Sequence, residues 1–400
     1  MRQKRENVVV VDLSSTSVKT LIGSFNKANQ RVKTFFELHG SHAKTGGISK
    51  RGVVSNRRAL ARSIHTCIDD ASKASGYEIE EVHVLFSHPN MRFFRKTVGT
   101  KEISSPEGIA ITEKWLSQKK RQILETLEHT YRNEKCAYLE VASIIADGEE
   151  IVHDPYEHSA TKSLALTYLY ILVPATFIET ILESVEQSVT VHIAQPAVVT
   201  NGMFLSEEQR EQGGISCDIG AETTTIGLYK NNMLVGAHTC PFGGNTITND
   251  IALSEKIAIE EAEKIKLSLS GEEPLLKKKA WQAIDRRIAD HLKRHILPYI
   301  KEVDPDKSFP GGVVLLGGGA QYKDMDRIVE KALGLYTTTS DTDWHAQNRN
   351  GLTQNSWCAA YAFLHSITTS AQEGSATTRK PTSLWQRVMR VMHTIAKVVQ

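Results

Sequence analysis

The sequence has no run of about 18 apolar residues, so no segment of it reads as a membrane-spanning helix. Its first apolar stretch, Val8 to Val11, is closed by Asp12 and is too short for the core of a secretory signal. No CxxC pair occurs among the five dispersed cysteines (Cys67, Cys136, Cys217, Cys240 and Cys358), which argues against a disulfide framework and reads as reduced, structural thiols in a cytoplasmic protein. The 15 histidines show no HExxH or clustered ligand spacing, which argues against a metal centre built from protein ligands. Charge of one sign is also missing: 48 Lys and Arg against 46 Asp and Glu leave +2, so no global field draws the chain to nucleic acid. What is present is a 40% hydrophobic share with 24% charged residues, which excludes disorder over the whole chain. At about 150 residues per domain, 400 residues correspond to two or three domains.

Val8 to Asp12 is a β-branched run ending in a carboxylate, followed by the hydroxyl-rich turn Leu13-Ser-Ser-Thr-Ser17 and a second strand, Val18 to Phe25. Asn56 to Ala74 has helical apolar spacing and ends near Gly76, a C-cap; Glu81 to Phe86 reads as a strand. Residues 87–165 are charge-rich and predict a small α+β insertion, with a helix near Thr112–His129 and strands near Ala137–Ile145 and Ser163–Val173. A helix over Thr176–Gln187 and a strand over Val189–Ile193 follow. Gly214 to Tyr229 repeats the opening pattern, with a strand ending in Asp218, a turn of small and hydroxyl residues, and a return strand. Beyond it come Pro241-Phe-Gly-Gly-Asn-Thr246, a long helical stretch to about Ile300, the buried strand Val313–Leu316 feeding Gly317-Gly318-Gly319, and a helix over Lys323–Leu333. Ser366 to Ser383 reads as a Ser/Thr/Gly/Ala-rich linker.

One hairpin whose turn follows an Asp is no more than a turn. Two of them, with a glycine turn at a strand end, are what a nucleoside triphosphate with Mg²⁺ requires: turn N–H groups for the phosphates, carboxylates for the metal's waters, and backbone close to a base and ribose. These three segments resemble the two phosphate motifs and the adenosine motif of the actin, Hsp70 and sugar-kinase superfamily. Within it, Gly46-Gly-Ile-Ser-Lys-Arg-Gly-Val-Val54, Pro241-Phe-Gly-Gly-Asn-Thr-Ile-Thr-Asn-Asp-Ile-Ala252, Glu261-Ala-Glu-Lys-Ile-Lys266 and Leu316-Gly-Gly-Gly-Ala-Gln321 resemble the FtsA family of bacterial cell-division proteins.

The resemblance implies an α/β, actin-like two-lobed fold: two RNase H-like domains with an inserted small α+β subdomain, plus a C-terminal amphipathic helix. It implies a first lobe from 1–86, 166–196 and 356–370, an insertion at 87–165, and a second lobe from 197–245 and 308–355 with a helical subdomain at 246–307. A linker at 371–383 and a membrane helix at 384–400 complete the division. It further implies ATP and Mg²⁺ as cofactors, with slow or absent hydrolysis. Carried over residue by residue, Asp12, Ser14, Ser15, Thr16 and Lys19 belong to the first phosphate motif, and Asp218, Gly220, Thr223 and Thr224 to the second. Gly243 and Gly244 flank the phosphates, Glu263 and Lys266 bind the ribose, and Gly317, Gly318 and Gly319 the adenosine. Asp12 and Asp218 serve the metal, and Gln195 with Asp218 the attacking water. Three departures stand out: Ser14 replaces a glycine, Ala221-Glu222 replaces a glycine pair, and Thr225 stands where Asp is common. Glu222 places a carboxylate where it would repel a triphosphate unless it turns away or shares the Mg²⁺.

Leu384, Trp385, Val388, Met389, Val391, Met392, Ile395, Val398 and Val399 share one helical face, with Arg387, Arg390, His393, Thr394 and Lys397 on the other. Such a helix, about 25 Å long, suits an in-plane position with cations on anionic headgroups, not a span. FtsA proteins carry a tail of this kind. Arg286, Arg287, Lys293 and Arg294 give a basic helix face, read either as solvated surface or as the docking site that the resemblance implies for the C-terminal tail of FtsZ. The resemblance adds self-association into filaments, contact with downstream division proteins and a place on the cytoplasmic face of the cell membrane at the division site. A kinase of the same superfamily would need a further catalytic carboxylate in the cleft. A pilus-assembly homologue would, as a rule, lack the tail.

Overall fold

The structure, a computed structural model, describes residues 5–26, 37–44, 53–100, 108–151, 158–187, 189–268, 278–340 and 354–373. The predicted tail helix at 384–400, with Leu384, Trp385, Arg387, Val388, Arg390, Met392, Ile395 and Lys397, lies outside the described residues, as does most of the Gly46–Val54 motif.

The opening β-branched run forms β1 (Arg5–Leu13), which turns into β2 (Ser17–Asn26) and pairs onward with β3 (Glu37–Lys44). Val9, Val11, Leu13, Val18 and Ile22 enter one core while Val8, Val10 and Leu21 enter another, so the sheet is covered on both faces. Helix α1 (Arg57–Ser75) starts where the Asn56 side chain accepts the Ala59 N–H (3.0 Å), and stops at Gly76, whose φ of +65° suits glycine. Its stripe Leu60, Ile64, Cys67, Ile68 and Ala71 packs on the first of those cores, and β4 (Glu81–Phe86) joins β1 in parallel.

The insertion follows. Strands β5 (Arg92–Thr100), β6 (Glu134–Ala146) and β7 (Leu164–Pro174) form an antiparallel sheet with β7 between the other two, covered by α2 (Glu113–Thr130). Lys120 of α2 is buried in an ion pair with Glu140 of β6 (2.7 Å), which ties the helix to the sheet. Asp147, in the turn after β6, accepts the backbone N–H groups of Thr161, Lys162 and Ser163, and these hold its carboxyl far below the ordinary carboxylate range. Because β7 pairs with β5 as far as Leu172 and with β6 as far as Pro174, the inserted sheet reaches past residue 165. Helix α3 (Ala175–Val185) then returns the chain to β8 (Thr190–Pro196), which closes the first sheet in the order β8-β4-β1-β2-β3.

The second lobe repeats this plan. Strands β9 (Gly214–Ile219), β10 (Thr224–Lys230) and β11 (Met233–Cys240) form a meander. The long helical stretch divides into α4 (Gly244–Glu255), α5 (Ile259–Ser268), α6 (Lys278–His295) and α7 (Leu297–Val303). Strand β12 (Val313–Leu316) pairs in parallel with β9, as β4 does with β1, and after α8 (Met325–Leu333) the strand β13 (Thr337–Thr339) completes the order β11-β10-β9-β12-β13.

The last described element, α9 (Gln354–Glu373), lies between the lobes. Trp357, Ala360, Phe363 and Leu364 pack with Val8, Val10, Leu21 and Leu85, while Cys358 and Ala362 pack with Tyr229, Leu234, Val314 and Leu316. The polar run from Ser366, read as linker, therefore begins inside a helix. Ser366 is buried, and its hydroxyl donates to the Phe363 carbonyl (2.7 Å), so its polarity is satisfied within the helix.

Candidate functional site

Strand register brings the predicted residues together. Asp12 lies opposite Lys19 across the first hairpin, and Asp218 opposite Thr225 across the second. The parallel register of β9 with β12 aligns Asp218 with Leu316, which sets the Gly317 turn beside that carboxylate. The first turn closes through Ser14, whose N–H and hydroxyl both donate to the Ser17 carbonyl (3.1 and 2.8 Å), and the second through the Gly220 N–H to Thr223 carbonyl bond (2.9 Å). Between them lies a cavity of about 390 Å³, within the range of small-molecule sites. Its wall includes Asp12, Ser14, Ser15, Thr16 and Lys19 from one lobe and Asp218, Gly220, Thr223, Gly244, Glu263, Lys266 and Gly317 to Gly319 from the other.

The two carboxylates differ. Lys19 Nζ stands 3.1 Å from Asp12 Oδ2, so Asp12 has its countercharge across the hairpin. Asp218 faces a threonine instead, and Thr225 spends its hydroxyl on Thr239 (3.0 Å). Burial first, and the Asp12 charge second, push Asp218 up to about 6, while Lys19 and Asn201 pull the other way. Glu263, Lys266 and Thr248 form a knot on the opposite wall: Lys266 Nζ lies 2.7 Å from Glu263 Oε2 and donates to Thr248 Oγ1 (2.8 Å).

Three of the residues predicted for the nucleotide cleft are not on the cavity wall. The Thr224 hydroxyl is buried and donates to the Phe242 carbonyl (2.8 Å). Gly243 is the N-cap of α4, pressed onto the second turn so that a Cβ there would meet the Ala221 carbonyl at 2.6 Å. Gln195 shares a sheet row with Leu85 and Asp12 and is 2% exposed. Neither polar atom of its amide has a partner among the described residues. Sequence reading also misses residues that the fold delivers. Asn201 lies 1% exposed with Nδ2 3.5 Å from Asp218 Oδ2, and its Oδ1 has no partner. Asn245 and Cys358 are on the wall too, and burial raises the Cys358 thiol to about 12. No spacing rule points to these three. Arg286, Arg287, Lys293 and Arg294 are exposed on α6, away from the cavity, and Arg287 is paired to Asp250 of α4 (2.7 Å). Among the described residues no group of three His, Cys, Asp or Glu side chains could hold a metal, and no helix is long and apolar enough to cross a membrane.

Two five-stranded sheets of repeated topology, meeting at one cleft, define an actin-like two-lobed protein. The solved PilM-PilN type IV pilus biogenesis complex shares this fold, with a TM-score of 0.62 over 89% of this chain and 96% of that one at 14% identity. Sequence narrows the class: the family model described as "Cell division protein FtsA" matches residues 215–362. FtsA of Streptococcus pneumoniae is 27% identical over 354 residues, which is 81% of this chain and 73% of that protein. FtsA of Bacillus subtilis is 22% identical over 269 residues, 66% of this chain and 58% of that protein. The chain is a relative of the FtsA cell-division proteins.

Proposed function

We propose that this chain is a nucleotide-dependent membrane adaptor of cell division. It binds ATP with Mg²⁺ between its lobes, self-associates, and links the FtsZ C-terminal tail to anionic lipid on the cytoplasmic face of the membrane, where downstream division proteins join it. The cell-division role is that of its relatives. The observation that carries the nucleotide reading is the convergence of both Asp-turn hairpins and the glycine turn on one cavity.

The residues suit the ligand. Asp12 and Asp218 offer carboxylates to the water shell of a Mg²⁺ ion, and the bound metal would neutralise phosphate charge. The partnerless amide of Gln195 and the partnerless Oδ1 of Asn201, buried close to the two carboxylates' rows, are polar atoms that a bound water would satisfy. Lys19 offers a cation to phosphate, and Glu263 with Lys266 hydrogen-bonding groups to a ribose. Thr225 in place of a carboxylate weighs against a phosphotransferase reading, which needs a base facing a second substrate. Arg286, Lys293 and Arg294 are the cations that an acidic FtsZ tail would meet.

Two experiments test this reading. Titrating Mg-ATP into the protein ending at Ser383 is expected to give saturable heat that Asp12→Ala removes; silence at millimolar nucleotide would make the chain a nucleotide-independent adaptor. In flotation with anionic vesicles, the full chain is expected to rise with the lipid and the chain lacking residues 384–400 to stay behind. Equal flotation would refute the tail's role.

A further inference from the structure

Glu222 is the residue least suited to a phosphate turn, because a carboxylate there opposes an incoming polyanion. Its surroundings answer the difficulty. Helix α4 is bonded to the second turn at three points. The Gly244 N–H donates to the Gly220 carbonyl (2.9 Å), the Asn245 N–H donates to the Ala221 carbonyl (2.8 Å), and the Asn245 side-chain amide donates to Glu222 Oε1 (2.5 Å). Asn245 is on the cavity wall and Glu222 is not. Glu222 is half-buried, and its carboxylate accepts from Asn245 beside the helix end, off the cavity wall.

We propose that Asn245 is a positioning residue that tethers the Glu222 carboxylate away from the phosphate path, which is how a turn carrying Ala221-Glu222 in place of two glycines still admits a polyphosphate. The inference rests on the nucleotide reading above. Its chemistry is particular: a neutral amide satisfies the carboxylate without adding a cation that would itself compete for phosphate. The backbone N–H of position 245 keeps the helix on the turn whatever its side chain, so Asn245→Ala frees the carboxylate without unseating the helix.

The test is calorimetric titration of Mg-ATP into the full chain, with inorganic tripolyphosphate as a second probe. Asn245→Ala is expected to bind both about ten-fold more weakly at low salt, from one freed charge near a polyanion. The deficit is expected to shrink as salt rises from about 0.1 M to 1 M, where the screening length drops from about 10 Å to about 3 Å. A purely packing defect would not respond to salt. The double variant Glu222→Gly/Asn245→Ala is expected to regain the parent affinity, and Glu222→Gln alone to bind at least as well as the parent. Unchanged affinity in Asn245→Ala, or a double variant as weak as the single one, overturns the tether while leaving the nucleotide reading standing. Failure of the parent to bind either probe overturns both.

Discussion

Replacing Asp218 with Asn is expected to stabilise the nucleotide-free protein at pH 7 while weakening Mg-ATP by on the order of a hundred-fold. The two effects have one cause. Asp218 sits at the floor of the cleft, and burial together with the Asp12 charge raises it from 3.8 to about 6. A carboxyl raised in the folded state favours folding when protonated. That contribution is fully present below about pH 4 and is lost as pH rises through about 6. At pH 7 the ionised group is therefore a net cost, on the order of 1–2 kcal/mol once the cavity's own water is allowed for. Asn keeps the shape and the bond partners but not the charge, so its advantage in melting should be present at pH 7 to 8 and fade toward pH 5. Thermal melting of both proteins across that range, with titration of Mg-ATP at pH 7.5, checks the pair of effects. Superimposable melting curves at pH 8 would refute the electrostatic account of Asp218.

Gly317→Ala is expected to cost about 3 kcal/mol of second-lobe stability, from positive-φ strain and overpacking together, and to distort the carboxylate site. Gly317 has φ +83°, where any side chain is strained. A Cβ there would also lie 2.3 Å from Asp218 Oδ1 and 2.6 Å from the Ile219 carbonyl. The next residue supplies the control: a Cβ on Gly318 meets nothing within 4 Å, so Gly318→Ala should unfold like the parent. Denaturant unfolding of the three proteins decides the matter. A Gly317→Ala protein as stable as Gly318→Ala would show that the turn yields more easily than its geometry implies.

The parts of the site readable from sequence are those whose chemistry is local. Asp12 with Leu13-Ser-Ser-Thr-Ser17, Asp218 with its small-residue turn, and three glycines after an apolar strand each announce a backbone conformation over a few residues. The parts that are not readable depend on register or on long-range approach. Thr223 and Thr225 line the cavity, but Thr224 between them points to the Phe242 carbonyl, because successive strand residues face opposite ways. A motif match does not know which face it has landed on. Gly243 is needed for close packing on Ala221, which resembles a phosphate contact only in its residue type. Asn201 approaches Asp218, and Asn245 approaches Glu222, across 17 and 23 positions of chain with no periodic signal. The fold itself is legible in the repeat of strand, Asp and hairpin. The reach of β7 to Pro174 and of α9 to Glu373 is less so, since apolar runs and small polar residues do not mark where pairing or helical winding stops.

Helix α9 has a mechanical meaning. One of its sides, through Trp357, Ala360, Phe363 and Leu364, is embedded with β1, β2 and β4; the other, through Cys358 and Ala362, with β10, β11 and β12. It acts as an axle seated in two bearings. A pull applied beyond Glu373 loads both lobes at the seam between them and bypasses the outer face of either one. Cys358 and Ala359 of the same helix also line the cavity, so the element that spans the seam is itself part of the cleft wall.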